Sequence, residues 1–155
     1  YEPFELDIPM ESYINAKTAE SNSVIQAKKS YESTKQTSKL TSATSSAVNG
    51  YQSAQNSLNS AQMSYEDTKD KVYENLYNKY NSIIENEKNY ASALEELKLL
   101  QSDFLRTQVK YLSGKVSKYE LISAQYKLAE KENLLLNSVY EHMLLKEELT
   151  NTDLM

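Results

Sequence analysis

Apolar side chains recur every seven residues along most of the chain, which is the spacing of helices that pack side by side. One series occupies the middle of the chain in two parts: Tyr51, Leu58, Tyr65 and Val72, then Leu76, Ile83, Tyr90, Leu97, Phe104 and Tyr111. The step from Val72 to Ile83 is eleven residues, which inserts four residues into the heptad repeat and makes a stutter. The pattern therefore predicts one long helix with a locally unwound supercoil near its middle.

Glycine and proline are rare in this chain and occur only at positions 3, 9, 50 and 114. Since both residues interrupt helices, they divide one predicted helical domain into an extended arm (1–9), helix A (10–40), a loop (41–50), helix B (51–112), a tip turn (113–116), helix C (117–150) and a tail (151–155). Pro9 is expected in the first turn of helix A, after Asp7 or Ile8 as the N-cap. Gly114 is expected to adopt the left-handed conformation that ends helix B.

Helix C carries two neighbouring apolar stripes. The first consists of Leu121, Leu128, Leu135 and Leu149, and the second of Ile122, Ala129, Leu136 and Met143. Because a helix in a simple two-stranded hairpin needs only one apolar stripe, two stripes predict neighbours on more than one side.

The lengths of the predicted helices suggest how they are arranged. Helices A and C together are about as long as helix B, which would measure roughly 90 Å at 1.5 Å per residue. Short connections make A and C antiparallel to B, so they would stack end to end beside it. The predicted fold is all-α: an elongated antiparallel coiled-coil hairpin with one long central helix, two shorter helices and no β-barrel strands. A bundle of three helices of similar length is the alternative.

The composition limits the chemistry that the chain can perform. It has 17 basic and 22 acidic side chains, a net charge of −5, no cysteine and one histidine. An acidic chain offers phosphates no general basic face, so nucleic acid is not expected as a partner. His142 has no second histidine or cysteine with which to bind zinc, and we expect it to be structural or on the surface. No cofactor is expected.

The sequence also gives no sign of an enzyme or of a membrane-spanning helix. Acidic neighbours such as Glu85 and Glu87 point to different faces of a helix, and no nucleophile–base pair or phosphate-binding loop is present. The longest aliphatic runs are about the size of residues 134–136, whereas a transmembrane helix needs about 20 apolar residues.

The sequence YLSGKVSKYELISAQ around Gly114 resembles the second hairpin turn of the TolC-like outer-membrane efflux protein family. The matching positions are Tyr111, Gly114, Ser117, Glu120, Leu121, Ala124 and Gln125. The opening YEPFELDIPMESYINAKTAESNSVIQAKKSYE is similar to the start of a repeat in the same family. Its matching positions are Tyr13, Ala16, Asn22, Val24 and Ala27.

This resemblance implies a conduit, in which hairpins from three chains form a hollow helical barrel that substrates cross without chemistry. The tip would dock a periplasmic adaptor protein through Tyr111, Gly114, Lys115, Val116 and Ser117. Three copies of Glu120 would form an acidic ring at the pore constriction. The contacts with a neighbouring hairpin would be made by Ile122, Ala129, Leu136 and Met143.

The chain also departs from the family pattern. Residues 41–50 are too few for the two β-strands that each repeat inserts there, since a transmembrane strand needs about 9–11 residues. Val116 and Ser123 stand where relatives commonly have a basic and an acidic residue. The expected location is the cell envelope outside the cytoplasm. The alternatives are a coiled-coil spacer or scaffold of the envelope that transports nothing and, less favoured, a compact spectrin-like binding module.

Overall fold

A computed structural model describes residues 2–44 and 48–151. Its helices are α1 (Met10–Glu20), α2 (Asn22–Thr44), α3 (Val48–Leu112) and α4 (Lys118–Thr150). No β-strand occurs within these residues, and the prediction of an all-α fold is confirmed.

The chain divides into two compact units. Residues 2–4 and Asn81–Glu147 form the first, which we call the hairpin unit. Glu5–Tyr80 and residues 148–151 form the second, which we call the α1–α2 unit. The single domain that we predicted stays a prediction.

Helix A is wrong as a single helix, because the chain leaves helical geometry at Ser21. Ser21 has φ −60° and ψ 130°, an extended conformation, and its hydroxyl lies 2.9 Å from that of Ser23. Serine and asparagine side chains compete with the helical ladder for backbone partners, so this Ser-Asn-Ser sequence favours a break. Pro9 does not lie in the first turn but precedes α1, and its carbonyl accepts the N–H of Tyr13 at 3.1 Å.

The loop predicted over residues 41–50 is largely wrong, because its first four residues belong to α2 and its last three to α3. Threonine hydroxyls in this region donate to the backbone carbonyl one turn earlier, as Thr41 does to Thr37 at 3.0 Å. The hydroxyls are thereby satisfied without breaking the helix, which allows a Ser/Thr-rich sequence to remain helical. Residues 45–47 of the predicted loop lie outside the described residues.

A row of buried side chains runs through the α1–α2 unit. One line continues along α1 and α2 across the break at Ile14, Thr18, Ser21 and Val24. Leu76 of α3 and Leu149 of α4 are also fully buried in this unit. Tyr31 of α2 stacks on Tyr65 of α3, with ring centroids 6.0 Å apart and planes within 5°. Tyr65 is therefore packed, as its place in the heptad series predicts.

Tyr51 belongs to the same heptad series but does not pack in the core. Its side chain is 54 % exposed, so the prediction that it packs in the seam is wrong. Near this end of α3, one groove is lined by small and hydroxyl-bearing residues of the two helices: Thr34, Thr37, Ser38, Thr41, Gly50, Ser53, Ala54 and Ser57. Ser38 is buried there and Ala54 is half-buried, whereas Tyr51 is exposed.

In the hairpin unit, the second half of α3 and α4 are antiparallel. Lys131 of α4 donates to Glu96 of α3 at 2.6 Å, and Asn86 of α3 donates to Glu141 of α4 at 3.4 Å. Moving ten residues towards the N-terminus of α3 therefore corresponds to moving ten residues towards the C-terminus of α4. This constant register brings each position on one helix opposite a defined position on the other.

The bounds of helices B and C are close to those predicted. Helix B is one continuous helix, α3, which begins at Val48 instead of Tyr51 and ends at Leu112 as expected. Helix C is α4, which begins at Lys118 and ends at Thr150, one residue shorter than predicted. The end-to-end stacking of helices A and C and the unwinding at the stutter stay predictions.

Candidate functional site

The tip of the hairpin is closed by a Schellman motif centred on Gly114. Gly114 has φ +71°, and among the described residues no other has a positive φ. Its N–H donates to the carbonyl of Tyr111 at 2.9 Å, and the N–H of Lys115 donates to the carbonyl of Lys110 at 2.8 Å. These are the two bonds that define the motif, and they satisfy carbonyls that the end of α3 would leave unpaired. The left-handed glycine that the sequence predicts is confirmed.

The other side of the tip is a capping box that starts α4. The backbone N–H of Ser117 donates to Glu120 Oε2 at 2.7 Å, and the backbone N–H of Glu120 donates to Ser117 Oγ at 3.3 Å. The Ser117 hydroxyl also donates to Glu120 Oε2, at 3.0 Å. Reciprocal bonds of this kind satisfy the free N–H groups at a helix start.

These bonds also change the acidity of Glu120. The backbone bond from Ser117, and then its hydroxyl, lower the pKa of the Glu120 carboxyl below its usual 4.5, because both stabilise the ionised form. The carboxylate that we predict at a pore constriction is therefore exposed and ionised, and one of its oxygens is held by the tip. The acidic ring itself stays a prediction.

The other predicted tip residues surround these two motifs. Tyr111 and Val116 are half-buried, whereas Gly114, Lys115 and Ser117 are exposed. The tip is therefore a short hydrogen-bonded turn that presents Lys115 to solvent.

Helix α4 has two seams with heptad spacing. The inner seam is buried or half-buried and consists of Leu121, Ala124, Leu128, Lys131, Leu135, Ser138, His142 and Leu145. The outer seam is exposed along its whole length and consists of Tyr119, Ile122, Tyr126, Ala129, Asn133, Leu136, Tyr140 and Met143. By the geometry of the heptad, the two seams lie about 150° apart around the helix. One helix thus carries two nearly opposite faces that each have coiled-coil spacing.

The outer seam contains all four residues that we predict at an inter-hairpin contact. Its large side chains are 50 % to 80 % exposed, with Tyr119 the most exposed and Leu136 the least. Large exposed apolar patches on a protein surface often mark a site of interaction. The heptad spacing is the one that another helix would match.

A part-buried polar cluster joins Phe4 to α3 and α4 within the hairpin unit. His142 is 3 % exposed, and its Nε2 lies 2.8 Å from Glu87 Oε1. The same carboxylate oxygen accepts the backbone N–H of Phe4 at 2.6 Å. Lys146, one turn along α4, lies over the Phe4 ring at 5.7 Å from its centroid. His142 is therefore a structural group of the inner seam that shares one acceptor with the arm.

The sequence analysis predicted neither the capping box nor the contact between His142 and Glu87, for different reasons. The capping box has a local signature, serine followed three residues later by glutamate, and Ser117 and Glu120 carry it. The contact between His142 and Glu87 depends on the register of α3 against α4, which no local pattern reveals.

In the part of the chain that the structure describes, no group of three or more acidic or histidine side chains is placed to hold a metal ion. Within the same residues, no helix has a stretch long and apolar enough to cross a membrane. Comparison of the chain with protein-family models, curated proteins and solved structures gave no match.

Proposed function

We propose that this chain is an extramembrane conduit domain of a TolC-like outer-membrane efflux or secretion protein. Hairpins assemble side by side through the outer seam of α4 into an oligomeric helical tube, a trimer as in the family that the sequence resembles. The tip docks a periplasmic adaptor protein, and Glu120 contributes to the constriction. The domain works outside the cytoplasm, binds no cofactor and performs no reaction.

The observation that carries this proposal is the exposed outer seam. Its eight positions alternate in steps of three and four residues without interruption from Tyr119 to Met143. The inner seam already packs α4 in the hairpin, so the fold of one chain does not use the outer seam. Side-by-side assembly would bury it, as a tube wall made of helical hairpins requires.

The test is to remove the apolar character of the outer seam and to measure assembly. In the variant Ile122→Ser/Leu136→Ser/Met143→Ser we expect oligomers to be lost in sedimentation velocity, while circular dichroism still shows a helical chain. The matched control is Met63→Ser/Leu99→Ser/Leu105→Ser, which changes three apolar side chains of α3 that are also exposed. We expect the control to assemble like the unaltered chain.

Two results would contradict the conduit. One is an unaltered chain that stays monomeric at every concentration tested. The other is a seam variant that assembles as well as the control.

A second candidate is a coiled-coil spacer of the cell envelope that transports nothing. The observation that favours it is the short interval between α2 and α3, since three residues separate Thr44 from Val48 and leave no length for a pair of β-strands. A spacer of this kind would keep its stability and its helical content after substitution of the outer seam, and it would need no oligomer.

A further inference from the structure

The hairpin tip is basic although the chain is acidic. Residues 104–119 contain four cations, Arg106, Lys110, Lys115 and Lys118, and no acidic side chain. The rest of the chain has 13 basic and 22 acidic side chains, a net charge of −9. The next acid along the chain is Glu120, whose carboxylate accepts bonds from Ser117. The positive charge is therefore a local property of this end of the hairpin.

The needs of the helices account for two of these cations but not for Lys115 and Lys118. Arg106 pairs with Asp103 of the same helix, Nη1 to Oδ1 at 3.6 Å. Lys110, in the last turn of α3, is favoured by the helix dipole, but Lys118 is the first residue of α4, where the dipole disfavours a cation. Lys115 lies in the turn itself, and all four cationic side chains are exposed. Among the described residues neither Lys115 nor Lys118 forms an ion pair. Their charge is available to something outside the chain.

Large apolar side chains stand beside the cations. Leu112, the last residue of α3, is 79 % exposed, and Val109 one turn earlier is also exposed. Tyr119, the second residue of α4, is 80 % exposed. Cations and apolar side chains together at one end resemble the composition of segments that bind the interface of anionic membranes, where tyrosine is also enriched.

The distribution of these groups favours a flat ligand approached by the end of the hairpin. The cations lie on the last turns of α3, on the connecting turn and on the first turn of α4. A helical partner would instead be met by a stripe along one helix face, as in the outer seam. We infer that the hairpin tip docks onto an anionic lipid membrane surface, with Leu112 entering the headgroup layer.

This inference goes beyond the proposed function, because a conduit that docks an adaptor does not require contact with lipid. It uses the lysines and Leu112 of the tip, whereas side-by-side assembly uses the outer seam of α4. The two can therefore fail separately: vesicle binding tests the tip, and sedimentation of the seam variant tests the tube.

The experiment measures binding of the whole chain to vesicles by co-flotation. One set of vesicles contains phosphatidylcholine alone, and the other contains one third phosphatidylglycerol. The tip variant is Lys110→Gln/Lys115→Gln/Lys118→Gln. The matched control is Lys28→Gln/Lys29→Gln/Lys39→Gln, which lowers the net charge equally at exposed positions of α2.

We expect the unaltered chain to bind the anionic vesicles and not the neutral ones. Each cation near an anionic surface contributes about a fivefold change in affinity, so the tip variant should bind on the order of 100-fold more weakly. The control should stay within about twofold, because its lysines belong to the α1–α2 unit and not to the tip. Binding should weaken as added salt shortens the Debye length from about 10 Å to about 3 Å.

A second pair of variants tests the apolar part of the surface. Leu112→Ser should weaken binding to anionic vesicles, whereas Leu99→Ser, at a similarly exposed position of α3, should not. The inference is overturned if the unaltered chain ignores anionic vesicles or if the tip variant and its control bind alike. Binding to polyglutamate but not to vesicles would also overturn it, since the tip would then recognise an acidic protein.

Discussion

Leu134, Leu135 and Leu136 are identical neighbours on α4, yet they occupy different surroundings. Leu135, in the inner seam, is 7 % exposed, whereas Leu136, in the outer seam, is 50 % exposed and Leu134 is 55 % exposed. The inner seam contributes to the stability of one chain, because its side chains pack in the hairpin. The outer seam has the same heptad spacing but is left to solvent. Apolar spacing alone therefore marks a helical contact without showing whether the contact lies within one chain.

The largest expected effect is on the free energy of unfolding, and it should differ between a leucine of the inner seam and its exposed neighbours. Leu135→Ala removes buried apolar volume and should lower the free energy of unfolding by about 2–4 kcal/mol. Leu136→Ala and Leu134→Ala, at exposed positions, should change it by no more than about 0.5 kcal/mol. Urea denaturation at a concentration where the chain is monomeric measures all three. Equal losses at Leu135 and Leu136 would remove the distinction between the seams.

A smaller effect is expected at Glu87 of α3, which lies against His142 of the inner seam. Glu87→Ala takes away the acceptor that faces His142 and binds the N–H of Phe4, and should cost about 1–3 kcal/mol of unfolding free energy. Glu85→Ala is the control, since it changes an exposed carboxylate of the same helix. Hydrogen exchange of the Phe4 amide should rise in the first variant only. Unchanged exchange there would mean that Glu87 does not hold the arm.

The tip is the turn in which α3 ends and α4 begins, and its left-handed residue is Gly114. Gly114→Ala should destabilise the chain by about 1 kcal/mol, because a Cβ disfavours the left-handed conformation. A Cβ built there meets no atom within 4 Å, so the cost is conformational and not steric. Gly114→Asn should cost less, since asparagine tolerates this conformation. Thermal unfolding of both variants gives the comparison, and equal losses would argue against the conformational cause.

The smallest effect concerns pH at the start of α4. The pKa of Glu120 is lowered by its bonds from Ser117, so the folded chain binds fewer protons at this group than the unfolded chain does. The stabilisation is complete above about pH 4.5, the usual value, and is lost as pH falls through the lowered pKa. The stability difference between the unaltered chain and Glu120→Gln should therefore shrink below pH 4.5. A difference that stays constant would show that the capping box does not titrate.

Sequence patterns predicted the parts of this fold that depend on local chemistry. The end of α3, the left-handed Gly114 and the bounds of α4 follow from the heptads and from one glycine in the right place. The break at Ser21 was missed because only weak signals, two serines and an asparagine, mark it. Helix at residues 41–44 was missed because threonine hydroxyls can bond within the helix that they were expected to disrupt.

The candidate surfaces were predicted only in part. The two stripes of helix C were visible in the sequence, but which of them packs in the hairpin depends on the rotation of α4 against α3, which no local pattern reveals. Net charge alone suggested no basic surface. The basic tip is seen only when Arg106, Lys110, Lys115 and Lys118 are considered together at the end of the hairpin.

The shared carboxylate of Glu87 has a consequence for the order of folding. Contacts in the hairpin unit join residues that lie further apart in the chain as they lie further from Gly114: 35 residues for Lys131 with Glu96, and 55 for His142 with Glu87. The bond from Phe4 to Glu87 spans 83 residues. Closing a longer loop costs more chain entropy. We therefore expect α3 and α4 to pair first near the tip and then progressively further from it, and Phe4 to bind Glu87 last. A chain still being folded would thus carry a completed tip before its first residues are fixed.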